Sequence, residues 1–212
     1  MGDEVRLELE VVPGIVPSIL ATLGAGESVY AEHGIVLYKE DPVTVGRKMI
    51  PSSGLFSSLK RSSLGGQPFL LAEFTGPGRA AFSRDGPGEI RILEIAAGQT
   101  LDVAEGSLVC AANSLGYTAT YTQGLTGWMG LWMERLTGPG RCAVHAYGNF
   151  VTLKLGPGES IVAERRSILH KDPAMHLEAM VQRVGGGLLG RALSQEMYVV
   201  HGPGTIGLQT GR

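Results

Sequence analysis

The chain has 212 residues, and 18 Lys and Arg against 20 Asp and Glu give a formal net charge of −2 at pH 7. This near-neutral balance does not favour the extended basic surface with which a nucleic-acid-binding protein contacts phosphates. The hydrophobic fraction of 43% is too high for a disordered chain. The 32 glycines and 11 prolines therefore indicate turns between short strands.

The elements follow in chain order. From Val5 to Val11, apolar and charged residues alternate with a period of two, which predicts a half-buried strand. The next apolar run, Ile15 to Leu23, is broken by Pro17 and is far shorter than the roughly 20 residues that span a bilayer. Because the first residues also lack a signal-peptide pattern, we expect a cytoplasmic protein. Further strands are predicted at Phe69–Phe74, Glu89–Ile95, Val151–Leu155 and Tyr198–Val200.

Two glycine motifs recur three times in the same order. The first motif opens with a small-residue turn, at Gly24–Val29, Ala96–Leu101 and Gly156–Ile161. The second motif is T-G-P-G-R or a close variant, at Thr75–Arg79, Thr137–Arg141 and His201–Thr205. Self-similarity at a nearly constant period indicates one supersecondary unit repeated. We therefore predict an all-β chain of three structural repeats, residues 1–88, 89–148 and 149–212.

A short apolar stretch between glycines, which we call the tip, precedes the second motif in each repeat. The tips could be buried at a subunit interface, or they could present apolar surface to a membrane or a protein partner. The sequence leaves both alternatives open. The candidate interaction residues in the tips are Leu55, Phe56, Trp128, Trp132, Leu188 and Leu189.

The ordered set of motifs resembles a known family. The G-E-S-V opening at Gly26, the G-L-F…L-K-R tip at Gly54, Tyr147-Gly148, and the closing stretch from Gly202 to Thr210 resemble the bacterial and archaeal relatives of a mitochondrial protein. That protein is called altered inheritance of mitochondria twenty-four. The resemblance implies three TRAP-like units, short double-stranded β-helices similar to the subunit of the tryptophan RNA-binding attenuation protein. It also implies a homotrimeric ring of nine units and a scaffolding role.

The residue patterns do not favour an enzyme. A cupin metal site needs a His-x-His pair with a nearby Glu, whereas His170 and His176 are separated by Asp172-Pro173, which interrupts a strand. The serines form no Gly-x-Ser-x-Gly elbow. Matching carboxylates, such as Glu27 and Glu159, follow from the repetition itself. We therefore expect no cofactor and no metal, and a cupin-like metal enzyme is the least favoured alternative.

Two cysteines, Cys110 and Cys142, are expected to be buried thiols, because a disulfide is unusual in a reducing cytosol. The function predicted from the sequence is a non-enzymatic scaffold or interaction protein that associates with itself as a homotrimer. A protein or peripheral membrane partner, and support of membrane-associated assemblies, are expected with it. The alternative is a small-ligand or RNA-binding protein, by analogy with the attenuation protein, although the net charge disfavours nucleic acid.

Overall fold

A computed structural model describes residues 7–32, 34–48, 71–122, 130–182 and 195–211. These residues form an all-β structure with one turn of 3-10 helix at Arg165–Ser167. In this part of the chain no helix is long and apolar enough to cross a membrane. The strands are β1 (Glu8–Val12), β2 (Ser18–Leu23), β3 (Ser28–Glu32), β4 (Val36–Lys39), β5 (Thr44–Lys48), β6 (Leu71–Thr75), β7 (Gly78–Ser83), β8 (Gly88–Ile95), β9 (Thr100–Ala104), β10 (Leu108–Ala112), β11 (Gly116–Thr122), β12 (Leu131–Thr137), β13 (Gly140–Tyr147), β14 (Phe150–Leu155), β15 (Ser160–Glu164), β16 (Ile168–Lys171), β17 (His176–Gln182), β18 (Gln195–His201) and β19 (Gly204–Gln209).

The predicted strands are present, with small shifts at their ends. In β1 and just before it, Leu7 and Leu9 are buried whereas Glu8 and Glu10 are exposed, which confirms the alternation seen in the sequence. The other four predicted strands correspond to β6, β8, β14 and β18. The all-β prediction is therefore confirmed.

Strand pairing divides the chain into three segments: β2–β7, β8–β13 and β14–β19. In the first segment β7 lies between β2 and β4, and β6 lies between β3 and β5. In the second, β13 lies between β8 and β10, and β12 lies between β9 and β11. In the third, β19 lies between β14 and β16, and β18 lies between β15 and β17. All of these pairings are antiparallel, so each segment contributes two three-stranded ladders.

The sheets cross from one segment to the next. β3 of the first segment pairs with β10 of the second, and β9 of the second pairs with β16 of the third. These two pairings, which we call the first and second junctions, merge three-stranded ladders into two six-stranded sheets. The ladder β2-β7-β4, extended by β1, and the ladder β15-β18-β17 remain as separate sheets at the two ends of the series.

The two glycine motifs of each segment lie against each other. Gly76 donates its N–H to the carbonyl of Glu27 at 2.9 Å, and Gly202 donates to Glu159 at 2.9 Å. A side chain at Gly76 would lie only 2.5 Å from the carbonyl oxygen of Gly24, which is closer than any tolerated contact. The glycine that precedes each of these prolines is therefore required by packing, and the motifs recur because the same turn contact recurs.

A large apolar cluster lies mainly in the first and second segments and includes Phe150 and Leu169 of the third. A smaller cluster lies mainly in the third segment and includes Ala104, Leu131 and Met133 of the second. Phe74 and Phe82 pack edge to face in the first segment, with ring centroids 4.9 Å apart. Both cysteines, Cys110 and Cys142, are buried free thiols in the larger cluster, as predicted. Burial of large side chains, each worth about 1.5–3 kcal/mol, therefore extends across the first junction and is not confined to one segment.

Candidate functional site

The first junction is apolar. Cys110 is paired with Ala31, and Ala111 with Tyr30, and all four residues are fully buried. The ring of Tyr30 meets that of Tyr117 edge to face, with centroids 5.8 Å apart. At this junction, backbone hydrogen bonds and side-chain packing hold adjacent segments together with no charged side chain in the paired positions.

The second junction contains a buried ion pair. Lys171 of β16 is paired with Asp102 of β9, and its Nζ donates to Asp102 Oδ2 at 3.0 Å. Arg135 donates to the same carboxylate from Nε at 2.7 Å and from Nη2 at 2.9 Å. Burial would raise the pKa of Asp102, but the hydrogen bonds from Arg135 and the charge of Lys171 outweigh it and hold the pKa below its usual range.

β4 forms an edge where its counterparts in the other segments form none. The corresponding strands, β10 and β16, are central in their sheets, whereas β4 is bound only to β7 within the described residues. Leu37 of β4 is 59% exposed, while Val109 and Leu169, which occupy the bulge of the corresponding strands, are completely buried. Tyr38 and Val36 are also largely exposed. The first segment thus presents an apolar strand edge to solvent.

β15, in the third segment, is an edge of the complementary kind. Its counterparts, β3 and β9, are the strands that form the two junctions, whereas β15 is paired only with β18 in the part of the chain that the structure describes. Val162 is 50% exposed, while the corresponding residues Tyr30 and Asp102 are buried. Among the described residues, β4 and β15 are therefore two edges that correspond to the two sides of an internal junction and are not joined to each other.

Of the six candidate tip residues, Trp132 alone lies within the described residues. Trp132 is not in a tip: it lies in β12 opposite Tyr121, is buried, and packs on that ring with centroids 4.6 Å apart. Its position in a strand explains its burial, since the strand begins at Leu131 directly after the glycine. The other five candidates lie outside the described residues: Leu55, Phe56, Trp128, Leu188 and Leu189.

The matching carboxylates noted in the sequence have structural partners. Glu27 and Glu159 each accept the N–H of the first glycine of their own turn, at 2.7 Å and 2.6 Å. Glu32 and Glu164 also occupy corresponding positions in the first and third segments, but their contacts differ: Glu32 forms an ion pair with Arg84 at 2.5 Å, and Glu164 accepts the N–H of Arg166. The recurrence of Glu27 and Glu159 is thus accounted for by their turns, and all four carboxylates have a partner within the chain.

Burial shifts the pKa values of other interior groups in the direction that favours their neutral forms. Burial raises the pKa of Cys142 to about 12 and lowers the pKa of His170 to about 4. Burial and the negative charge of Glu32 raise the pKa of Glu134, a fully buried residue of β12, well above its usual range, against the opposing charge of Arg84. Among the described residues no three His, Cys, Asp or Glu side chains are grouped to hold a metal ion.

Comparison with known families supports the resemblance. The family model described as mitochondrial biogenesis AIM24 matches residues 15–211, which is nearly the whole chain. This protein belongs to the AIM24 family. The AIM24 match includes both edges, β4 and β15, and all three segments.

The fold of this AIM24 protein is shared with a crystal structure, that of protein SPYM3_0169 from Streptococcus pyogenes. The TM-score is 0.74 at 19% sequence identity, covering 97% of this chain and 94% of that one. At this identity the likeness concerns the fold alone. No curated protein shows significant sequence similarity to the chain.

The repeat alignment contains a signal for these edges, although the glycine motifs do not point to it. Aligning the repeats places Val36-Leu37-Tyr38 over Leu108-Val109-Cys110 and Ile168-Leu169-His170, so β4 carries the apolar residues of an internal strand. What the sequence alone does not give is which of these strands obtains a partner within the chain.

Two buried carboxyl groups, those of Asp102 and Glu134, should make the free energy of unfolding depend on pH in opposite directions. The folded pKa of Asp102 is lowered, so its contribution to stability is present above pH of about 4 and is lost as the pH falls further. We expect Asp102→Asn to cost about 3 kcal/mol at pH 7, because two cations lose their partner, and to cost less at pH 3. Urea unfolding across this range measures the difference.

Glu134→Gln is the companion to Asp102→Asn, because it replaces a carboxyl group whose pKa is shifted in the opposite direction. Because the folded pKa of Glu134 is raised, its contribution to stability is present at low pH and is lost as the pH rises above about 4.3. The amide mimics the protonated acid, so the variant should gain stability relative to the native chain as the pH rises, by at most about 1.4 kcal/mol per pH unit. Parallel stability profiles for both variants and the native chain would contradict these assignments.

Proposed function

We propose that this AIM24 protein is a non-enzymatic scaffold or interaction protein that carries three copies of one unit and assembles head to tail as a homotrimeric ring. The observation that carries the proposal is the pair of open edges, β4 and β15, whose counterparts are joined at both junctions inside the chain. An unpaired apolar strand edge is a template for strand addition. A second copy of the chain supplies the matching edge.

The internal junctions specify the register of the intermolecular one. Cys110 is paired with Ala31 at the first junction, and His170 with Val103 at the second. By the same rule Tyr38 of one copy pairs with Ala163 of the next, and Lys39 with Val162. The exposed Leu37 then enters the same environment as the buried Val109 and Leu169.

Ring closure favours a finite assembly. A head-to-tail contact generates either a closed ring or an open filament, and a closed ring leaves neither β4 nor β15 exposed. Three chains carry nine units, the number implied by the family resemblance. With 22.3 kDa per chain, the trimer has a mass of about 67 kDa.

A scaffold also agrees with the chemistry of the interior. The two thiols are buried with raised pKa values, which disfavours the thiolate that nucleophilic catalysis requires. Asp102 is saturated by Arg135 and Lys171, and Glu27 and Glu159 are bound to their own turns. In these arrangements none of these groups is available as a general acid or base for a substrate.

The tips supply a separate partner hypothesis. We expect apolar residues such as Phe56 and Trp128 to contact a membrane surface or a protein, in support of a membrane-associated assembly. If so, the double variant Phe56→Ser, Trp128→Ala keeps the trimer but loses liposome or partner binding. Loss of the trimer would show instead that the tips belong to the subunit interface, and loss of neither property would dismiss them as binding elements.

Edge-blocking variants test the assembly. Val162→Lys places a second cation opposite Lys39 of the next copy, at a position whose counterparts are buried, so the protein should elute as a monomer of 22.3 kDa because like charges directly opposite each other destabilise strand pairing. Val45→Lys is the matched control, because Val45 is 51% exposed and lies on β5, whose counterparts β11 and β17 are also edges. Light scattering coupled to gel filtration gives the mass of each variant in solution.

The native chain and Val45→Lys should both remain trimeric. A native chain that is monomeric at micromolar concentration, or a Val162→Lys variant that stays trimeric, would contradict head-to-tail assembly through β4 and β15. Circular dichroism of Val162→Lys checks that its fold is retained, as expected for a substitution at an exposed position of the single chain.

A further inference from the structure

A cavity of about 690 Å³ lies between the first and second segments. One wall is the first turn of the first segment, at Gly26–Ser28, and the other comprises turns of the second segment at Ala96-Ala97, Ala112–Ser114 and Pro139–Arg141. Its volume is within the range of about 300–1,000 Å³ that is typical of small-molecule sites. Leu7 and Ile95 add apolar surface to the lining.

The same position in the other two segments is occupied by an acid. In the first segment, Glu40 accepts the backbone N–H of Arg79 at 3.0 Å and its Nε–H at 2.8 Å. In the third, Asp172 accepts the backbone N–H of Thr205 at 2.7 Å. Arg79 and Thr205 each follow the Gly-Pro-Gly of their segment, so both turns are closed by a carboxylate.

In the second segment the acid is replaced by Ala112. The equivalence is fixed by a hydrogen bond common to all three turns: Val43 donates to Glu40, Leu115 to Ala112, and Met175 to Asp172, each at 3.0 Å. Ala112 has no acceptor in its side chain. The arginine that follows the second Gly-Pro-Gly, Arg141, therefore lacks the carboxylate that Arg79 has, although both belong to the same pentapeptide T-G-P-G-R.

Arg141 lines the cavity and is only weakly neutralised. Within the described residues its one ion pair is to Glu94, with 3.8 Å between Arg141 Nη2 and Glu94 Oε2, which is too long for a hydrogen bond. The other acid in the lining, Glu27, is bound to the N–H of Gly24. Nearby Glu73 accepts hydrogen bonds from Ser28 and Asn113. The guanidinium of Arg141 thus remains available for an incoming anion.

We propose that this cavity binds a small organic monocarboxylate whose carboxylate takes the position of the missing acid beside Arg141. The guanidinium matches a carboxylate in shape and charge, and the cavity is much larger than one carboxyl group, so the ligand carries an apolar body against Leu7 and Ile95. The site lies apart from β4 and β15, and it does not depend on the proposed assembly.

Titration of the full chain with benzoate, phenylacetate and hexanoate tests the proposal, with the uncharged amide of each acid as its control. At least one acid should bind at one site per chain with a Kd below about 1 mM. The Kd of its amide should be at least about tenfold higher. Isothermal calorimetry, or ligand-observed NMR for the weaker probes, gives the affinities. Equal binding of acid and amide, or no binding of any acid at about 10 mM, would overturn the proposal.

Three variants locate the site. Arg141→Gln should weaken binding of the acid at least about tenfold, whereas Arg79→Gln, in the identical pentapeptide, should leave it unchanged. Ala112→Glu restores the acid found in the first segment, so it should abolish binding while raising the melting temperature. Full binding by Arg141→Gln, or equal losses in both arginine variants, would contradict a site at Arg141. These two variants decide the matter even if Ala112→Glu does not fold.

Discussion

Backbone pairing between strands of neighbouring segments is the constraint on which the rest of the structure depends. No segment completes its own sheets: β3 needs β10, and β9 needs β16, before the residues at these positions are buried. Because a buried backbone group without a partner is costly, each unit is stable only beside another. Within the part of the chain that the structure describes, this requirement is satisfied at two junctions and left unsatisfied at β4 and β15.

The two internal junctions have the same strand pairing but different side chains at the paired positions. The first buries Tyr30 and Ala111 among apolar groups, whereas the second places Lys171 against Asp102 and adds Arg135. At the third, Lys39 would face Val162, with no acid at the Asp102 position. The charged second junction thus differs in chemistry from the apolar first one, and the third would depend on apolar burial of residues such as Leu37.

Much of the fold could be predicted from the sequence because its signals are local. The alternation around Leu9 and the recurring Gly-Pro-Gly turns depend on residues close in the chain, and both correspond to strands and turns in the structure. The prediction that places Trp132 in a tip is wrong, because the sequence does not show where a glycine-rich stretch ends and a strand such as β12 begins. Pairing between segments joins residues as distant as Ala31 and Cys110, and no local pattern specifies it.

The cavity beside Arg141 illustrates what comparison of the segments adds. In the sequence, Ala112 is one small residue among several, and T-G-P-G-R is the same at both of its occurrences. Only the contacts show that Glu40 closes one turn on Arg79, while among the described residues Arg141 has Glu94 at 3.8 Å and no hydrogen-bonded acid. The segments thus share their strand pairing and differ in the residue beside this arginine.

Backbone amide hydrogen exchange of the native protein tests most directly whether the open edges are joined in solution. Amides of β4 and β15 that face away from β7 and β18 have no partner among the described residues of the single chain, so in a monomer they should exchange as rapidly as those of exposed edges such as β5. The account predicts protection comparable to that of their counterparts in β10 and β3, and loss of that protection in Val162→Lys. Rapid exchange along both β4 and β15 in the native protein would contradict the head-to-tail assembly.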